Sequence, residues 1–230
     1  MANPRFLFCD SDAVFQIFLT KQYKILVELS NKYSMRPLVV PEVELELFSS
    51  KKFKKLGDAV SKAISRNILG RFDNSVLIEH LGGSAAAATT VYANIQSRGA
   101  RYAARVGKGE AYTFAAAYEL RMPALSNDFS AIKVLANQQE SLPSPICRFF
   151  DLVVLAYQAG ILTDREVDDN VRQELQAQSE FIPKAFSNTS FSKGLYQYSC
   201  RIRDGSKACC GAERDDQSDT DYGKPLTLSA

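Results

Sequence analysis

Short apolar runs alternate with amphipathic stretches through most of the chain. Residues 6–9, FLFC, are uninterruptedly apolar and end at Asp10-Ser11-Asp12, as a strand buried on both faces does. Val14, Ile17 and Phe18 then recur at helical spacing, and a second helix is expected over 23–33. Arg36-Pro37 breaks it, and LVV at 38–40 predicts another buried strand. Pro41 fits the first position of a helix, where no amide donor is needed. Val43 and Leu47 give that helix an apolar stripe. Leu56, Ala59, Val60, Ala63 and Ile64 mark a further helix, 75–79 a third strand, Gly82-Gly83 a turn, and Ser84 the cap of a helix over 85–97.

The stretch 106–128, VGKGEAYTFAAAYELRMPALSND, organises the remainder. Gly107 and Gly109 make a flexible entry, and Glu110 opens an alanine-rich helix with Ala111, Phe114, Ala115 and Tyr118 on one face. Pro123 closes the connection, because the residue before proline disfavours the α region. A short buried strand at 124–126 delivers Asp128 to its carboxyl end. A helix over 130–138, a loop at 140–145, a strand at 146–150 and a helix from Asp151 to Gly160 follow. Thr163 and Glu166 have capping-box spacing and start a helix that runs to about Ser179. From 187 onward the periodicity fades. Beyond Cys200 the chain is rich in Gly, Ser, Asp and Lys, so weak order or loose attachment is expected.

Strands alternating with helices predict an α/β fold, a three-layer α/β/α sandwich with a mainly parallel central sheet. The expected organisation is one domain over 1–186, with a basic helical insertion around 51–105, and a partly disordered tail over 187–230. The 46% hydrophobic content supplies a substantial core for 230 residues. Five cysteines without a CxxC pair suit reduced thiols rather than a disulfide framework. The single histidine, His80, argues against a multi-histidine metal site or a histidine relay and fits a loop or strand end. Asp10 and Asp12 interrupt the first apolar run, so no signal peptide is expected. The longest uncharged apolar segment, 152–162, is shorter than the roughly 20 residues a bilayer requires. The expectation is a soluble cytoplasmic protein with no membrane partner.

A net charge of +2 does not by itself argue for nucleic acid, but the charge is unevenly placed. Residues 51–71 carry seven cations against Asp58 alone, among them Lys51, Lys52 and Lys55. Residues 98–108 carry Arg98, Arg101, Arg105 and Lys108 and no acid. A solvated basic face explains the lysine helix as well as a phosphate-binding one does. The second patch runs directly into Glu110.

Acidic residues recur at strand ends and helix starts: Asp10, Glu46, Glu110 and Asp128. Each has an ordinary alternative. Asp12 fits the cap of the next helix better than Asp10, which is nearer the strand. Glu42, Glu44 and Glu46 share one short helix, and any of them could be a solvated residue or the one pointing inward. Glu110 suits the first turn of any helix. Asp151 fits an N-cap. Gathered in one cleft, four carboxylates repel unless a cation relieves them. With oxygen donors only, that cation is a hard one, Mg²⁺ or Mn²⁺. Such an ion with flanking Lys and Arg suits phosphodiester hydrolysis. No GxxxxGK[ST] is present, which argues against a triphosphate-binding α/β protein.

In this order the motifs resemble the PIN-domain nucleases, and most of all the VapC-type toxin branch. They are the strand before Asp10, VVPEVELEL with Glu46 five residues after the proline, GKGEAYTFAAAYE with Glu110, and ALSND with Asp128. RFFDLVVLAYQAGILTDREVDDNVRQEL is similar to that branch's final strand, turn and last helix. The resemblance covers 6 to about 181 and implies a metal-dependent endoribonuclease, toxin-like, in which Asp10, Glu46, Glu110 and Asp128 bind Mg²⁺ or Mn²⁺. Ser11 or Ser126 stands where the family often has a hydroxyl near the acids. The implied partners are RNA, held by Arg101, Arg105, Lys108, Lys51, Lys52 and Lys55, a cognate antitoxin protein and a second copy in a homodimer. The competing expectation is a catalytically silent PIN-like module that binds RNA or protein.

Overall fold

A computed structural model describes residues 5–136 and 145–198, together with the short segments 202–204, 207–208 and 226–228. The chain opens with β1 (Arg5–Cys9), α1 (Ser11–Leu19), α2 (Lys24–Tyr33), β2 (Met35–Val39) and α3 (Pro41–Ser49). A 3-10 turn at Lys54–Leu56 leads to α4 (Gly57–Ser65), β3 (Gly70–Arg71), α5 (Asn74–His80), α6 (Ala85–Ala103) and α7 (Lys108–Leu120). Then come β4 (Ala124–Leu125), α8 (Phe129–Ala136), β5 (Ile146–Cys147) and α9 (Phe149–Gln158). Asp164–Glu166 forms α10, a π-helical stretch covers Val167–Arg172, and α11 (Gln173–Ala177), α12 (Lys184–Ser187) and α13 (Phe191–Leu195) follow.

The five strands form one parallel sheet in the order β3-β2-β1-β4-β5. Helices cover both faces, giving the expected three-layer α/β/α sandwich. Helix α7 packs on β1 and β4 with α6 behind it, while α2 lies on β2 beside α9. Four of the five residues of β1 are buried, as its unbroken apolar run requires. The chain builds outward from β1 through β2 to β3, then returns to place β4 on the other side of β1. The gap between β1 and β4 is therefore the topological switch point, where open α/β sheets place their ligands outside the carboxyl ends.

Several local expectations are corrected. Residues 75–79 are not a strand: Asp73 caps α5, its Oδ1 accepting from the amides of Ser75 (2.9 Å) and Val76 (3.0 Å). The third strand is Gly70–Arg71, so the basic stretch 51–105 supplies an edge of the central sheet. Pro37 does not precede β2 but lies within it, opposite Leu7, and α2 ends instead at Ser34 in a left-handed conformation. Residues 146–150 split into a two-residue strand and the start of α9. The helix over 85–97 extends to Ala103, and α7 begins at Lys108 rather than Glu110. His80 ends a helix and sits against the ring of Phe6, with centroids 4.6 Å apart.

Packing continues past 186. Phe186, Phe191 and Tyr198 are buried, and Phe186 stacks on Phe150 at 5.3 Å and on Phe191 at 4.9 Å. Three short strands, β6 (Ile202–Asp204), β7 (Lys207–Ala208) and β8 (Leu226–Leu228), form a separate small sheet. Most of the stretch expected to be weakly ordered beyond Cys200, with Cys209 and Cys210, lies outside the described residues. Cys9 and Cys147 are buried, and burial raises the Cys9 thiol far above its ordinary range. None of the described helices is long and apolar enough to cross a membrane.

Candidate functional site

The four predicted acids lie around the switch point, near enough for their charges to act on one another. Strand register aligns Cys9 with Leu125, so the residues that leave β1 and β4 emerge side by side. Asp10 is the first residue past β1 and caps α1, its Oδ1 accepting from the Ala13 amide at 2.7 Å. This corrects the assignment of the cap to Asp12, which lies one step into α1. The strand ends at Cys9 and the helix starts at Ser11, leaving Asp10 alone in the extended conformation a cap requires. Asp128 plays the same part for α8, accepting from the Ala131 amide at 2.9 Å. Between these two caps, Ser126 is fully buried and its hydroxyl accepts from the Asp128 amide at 3.2 Å.

Glu110 and Glu46 close the cluster from α7 and α3. Glu110 lies in the first turn of α7 and is 9% exposed. Glu46 reaches across to that turn: its Oε1 accepts from the Gly109 amide at 3.0 Å, and its Oε2 accepts from the Ser11 hydroxyl at 2.8 Å. A Cβ on residue 109 would stand 2.5 Å from Glu46 Oε2, so only glycine admits so close an approach. The amino termini of α1, α7 and α8 thus converge on the acids, and their dipoles offset part of the negative charge.

That offset is incomplete. Burial pushes the Asp10 carboxyl up to about 8; the Ser126 side chain and the Ala13 amide act the other way, and Glu110 and Asp12 raise it further. Asp10 Oδ2 is buried with no hydrogen-bond partner. Glu110 is also raised, first by burial and then by the charges of Glu46, Asp128 and Asp12. The electrostatics therefore links Asp10, Glu46, Glu110, Asp128 and Asp12 in one neighbourhood.

Of the three glutamates of α3, Glu46 faces the cluster. Glu44 is turned away in a bidentate pair with Arg71, whose Nε lies 2.8 and 3.0 Å from its two oxygens. Glu42 is half-buried with Oε2 unpartnered. Burial raises its pKa, as does Glu46, while Lys108 lowers it. Asp151, weighed as a cap, is the third residue of α9 and is saturated: Oδ2 accepts from the Arg148 amide at 2.7 Å and Oδ1 from the Tyr198 hydroxyl at 2.9 Å.

The cations divide differently from their sequence. Lys52 bridges Asp12 (2.7 Å) and Glu180 (2.9 Å) above the rings of Phe15 and Phe53, so it borders the acids through Asp12. Lys55 lies over Phe15 and donates to Gln178. Lys51 is exposed. Arg98 is held by Glu119 at 2.6 Å and lies 3.6 Å above the ring of Tyr118, a packing role that its sequence neighbours do not reveal. Arg101, Arg105 and Lys108 are exposed. Arg105 falls beyond the end of α6 and does not continue a helical face with Arg101.

The sequence names Ser11 as a hydroxyl near the acids but not its bond to Glu46, and it misses the Gly109 donor, the place of Asp12 among the acids, and the Lys52 bridge. Each depends on a contact between residues more than 30 positions apart or on which residue ends a strand, and neither leaves a periodic trace. Among the described residues, no group of three or more His, Cys, Asp or Glu side chains is already disposed to hold a metal ion. The donor chemistry does fit a hard cation: all four acids offer oxygens, and Asp10, whose carboxylate the Ser126 side chain favours, keeps a buried Oδ2 without a hydrogen-bond partner of its own. No family model matches the chain, and neither a curated protein nor a solved structure is significantly similar to it.

Proposed function

We propose that this chain is a toxin-like, metal-dependent endoribonuclease that hydrolyses RNA phosphodiesters at the carboxyl edge of its sheet. The observation that carries the reading is the buried, unpartnered Asp10 Oδ2 among Glu46, Glu110 and Asp128 at the switch point. A stable protein keeps such an oxygen unsatisfied at a cost, and sites that bind cations are where that cost is recovered. Asp10, Glu46, Glu110 and Asp128 would hold Mg²⁺ or Mn²⁺. The ion, when bound, supplies a Lewis acid for the phosphoryl oxygen and a more acidic water.

The remaining roles belong to the chain itself. Ser11 and the Gly109 amide orient Glu46. Lys108, at the start of α7, and Lys52, beside Asp12, stand where a phosphate entering the cluster meets positive charge. Arg101, Arg105, Lys51 and Lys55 extend that path as backbone contacts. The likeness of the motifs to PIN-domain toxins is the ground for a cytoplasmic location, a cognate antitoxin and a homodimer as its wider setting.

A second reading is favoured by one observation. Both oxygens of Glu46 already accept hydrogen bonds, and three helix amino termini face the acids, so the cluster has internal support. On that reading the chain is a PIN-like module that binds RNA or protein without cutting. Incubation of the purified protein with end-labelled RNA in Mg²⁺, Mn²⁺ or EDTA decides between them. Cleavage that needs the ion and is lost in Asp10→Asn supports the nuclease. RNA bound but intact under every condition supports the silent module.

A further inference from the structure

Beyond the carboxyl ends of β2 and β3 lies an open cleft of about 400 Å³, lined by Pro41, Asp73, Asn74, Thr89, Tyr92 and Ala93. It forms where the first turn of α3, the start of α5 and α6 meet, and it is not part of the acidic cluster. It does share an edge with that cluster. Strand neighbours in a sheet are 4.7–4.9 Å apart, so the cleft lies about 10 Å along the rim from the switch point. Glu42 joins the two: it follows Pro41, and its charge acts on Tyr92 on one side and is felt with Glu46 and Lys108 on the other.

The chemistry of the lining is selective. Tyr92 offers a half-buried aromatic ring. Asp73 uses Oδ1 for the Ser75 amide (2.9 Å), the Ser75 hydroxyl (2.6 Å) and the Val76 amide (3.0 Å), and none of these bonds involves Oδ2. Although burial acts to raise it, those hydrogen bonds hold the Asp73 carboxyl below its ordinary range, so it remains an anionic acceptor. Glu42 Oε2, at the margin, is buried with no hydrogen-bond partner. The anionic Asp73 in the lining, with Glu42 nearby, disfavours a phosphate in this cleft. It calls for a flat group that brings hydrogen-bond donors on its edge. RNA-binding proteins read single-stranded bases in this way, by stacking on an aromatic ring and bonding to the Watson–Crick edge. Guanine carries N1–H and N2–H side by side, so both can converge on Asp73 Oδ2, whereas adenine, cytosine and uracil each present a single donor group there. The volume is that of a small-ligand pocket.

We propose that this cleft is a base-recognition pocket for guanine in single-stranded RNA, with the ring stacked on Tyr92 and its donor edge on Asp73, while the adjoining backbone lies in the acidic cluster. The proposal rests on the nuclease reading for its substrate class. The Arg71–Glu44 pair, two residues from Asp73 and two from Glu42, holds this corner of the rim together.

Binding is measured in EDTA, where cleavage plays no part, by fluorescence anisotropy with labelled tetranucleotides AAGA, AAAA, AACA and AAUA. The parent protein binds AAGA more tightly than the other three by about tenfold, within the range that hydrogen bonds to a charged group supply. Tyr92→Ala removes about tenfold from AAGA affinity and little from the rest. Asp73→Asn retains the helix cap, since asparagine caps as well as aspartate, and loses the guanine preference. Circular dichroism confirms that both variants fold. Equal affinity of the parent for all four oligonucleotides overturns the proposal. So does no RNA binding at all, or a guanine preference that survives in both variants. Failure of the nuclease reading has a different signature: the guanine preference depends on Tyr92 and Asp73, yet RNA stays intact in Mg²⁺ and Mn²⁺. The pocket then stands as the base site of a binding module.

Discussion

Asp10 and Asp151 occupy equivalent places in the fold and meet opposite fates. Each follows a parallel strand at the carboxyl edge of the sheet, each belongs to the opening of the next helix, and each is 0% exposed. Asp151 has both oxygens satisfied, by the backbone of Arg148 and the hydroxyl of Tyr198, with the Arg148 guanidinium 3.5 Å away. Asp10 has one oxygen satisfied by Ala13, the other unpartnered, and Asp12 and Glu110 for company. Burial alone therefore says little about role. A saturated buried carboxylate is a structural anchor, here tying Tyr198 and the segment after α13 to the start of α9. An unsaturated one among like charges is a cost kept for some other reason.

The largest difference should appear in stability. Asp151→Ala removes the carboxylate that accepts from the Tyr198 hydroxyl and pairs with the Arg148 guanidinium. Removal of one partner from a buried charged network typically costs about 3–5 kcal/mol. Urea unfolding followed by circular dichroism measures it, and a loss well under this range would mean that water replaces the carboxylate freely. Tyr198→Phe deletes a single hydrogen bond to a charged group and should cost less, about 1.5–3 kcal/mol.

Asp10→Asn should do the reverse, and pH exposes the reason. In the folded protein the carboxyl holds its proton up to about 8, whereas in the unfolded chain it ionises near its ordinary value of about 4. The native state then binds more protons than the unfolded state between those limits. This contribution to stability is full below about pH 4, declines through the interval and is lost above about pH 8. The asparagine variant keeps the cap and removes the slope, so it should match or exceed the parent in stability at pH 8 while losing metal-dependent cleavage. Melting temperatures of both proteins from pH 4 to 9 provide the check. Parallel curves would show that Asp10 is not protonated in the native state. Added Mn²⁺ should raise the melting temperature of the parent at pH 8 and leave the variant unmoved.

The same pair shows what the sequence exposes. Unbroken apolar runs placed β1 and the strand region after Arg36, and alternation of such runs with helical spacing gave the parallel α/β architecture. Strand ends then marked Asp10 and Asp128, and helix starts marked Glu110. The error at 75–79 arose because SVLIE suits either state over so short a span. The cap at Asp73, with Ser75 and Val76 as its donors, settles the matter in three dimensions. The cap went to Asp12 instead of Asp10 because one residue's difference in where a strand stops decides which of them caps. The saturation of Asp151 depends on Tyr198, 47 positions away, and the turning aside of Glu44 on Arg71, 27 positions away. Partners at that distance in the chain leave no local pattern.

A sharper test lies within α3. Glu46→Gln keeps the contacts to Ser11 and Gly109 in shape but removes a charge from the cluster, and it should lower metal-dependent cleavage by about 10²-fold or more, on the scale reported for lost electrostatic groups in active sites. Glu44→Gln, two residues away and on nearly the opposite side of α3, weakens only the exposed pair with Arg71 and should leave cleavage unchanged. Gly109→Ala should fold normally, since the atoms it crowds belong to the flexible end of Glu46, yet cleave poorly because Glu46 is displaced. If Glu44→Gln and Glu46→Gln behave alike, the distinction drawn between the two glutamates fails.

The smallest expected effect concerns the rim. Arg101 lies in the last turn of α6 and Arg105 just past its end, both exposed, where positive charge also complements the carboxyl end of the helix. Two roles therefore compete for the same residues. If they only favour the helix end, Arg101→Ala with Arg105→Ala costs a little stability and leaves RNA binding as it was. If they meet phosphate on its way to Glu110, the double variant should bind single-stranded RNA more weakly. The slope of log affinity against log salt should then fall by about 1.4, since each phosphate contact on a single strand contributes about 0.7. Arg98 supplies the internal contrast. Its guanidinium is committed to Glu119 and to the ring of Tyr118, so Arg98→Ala should lower stability while leaving the salt slope where it was. Titrations of Asp10→Asn protein, which cannot cut on this reading, give all these slopes without loss of substrate. An unchanged slope in the arginine pair would remove both residues from the RNA path and leave Lys108 and Lys52 as the cations nearest the acids.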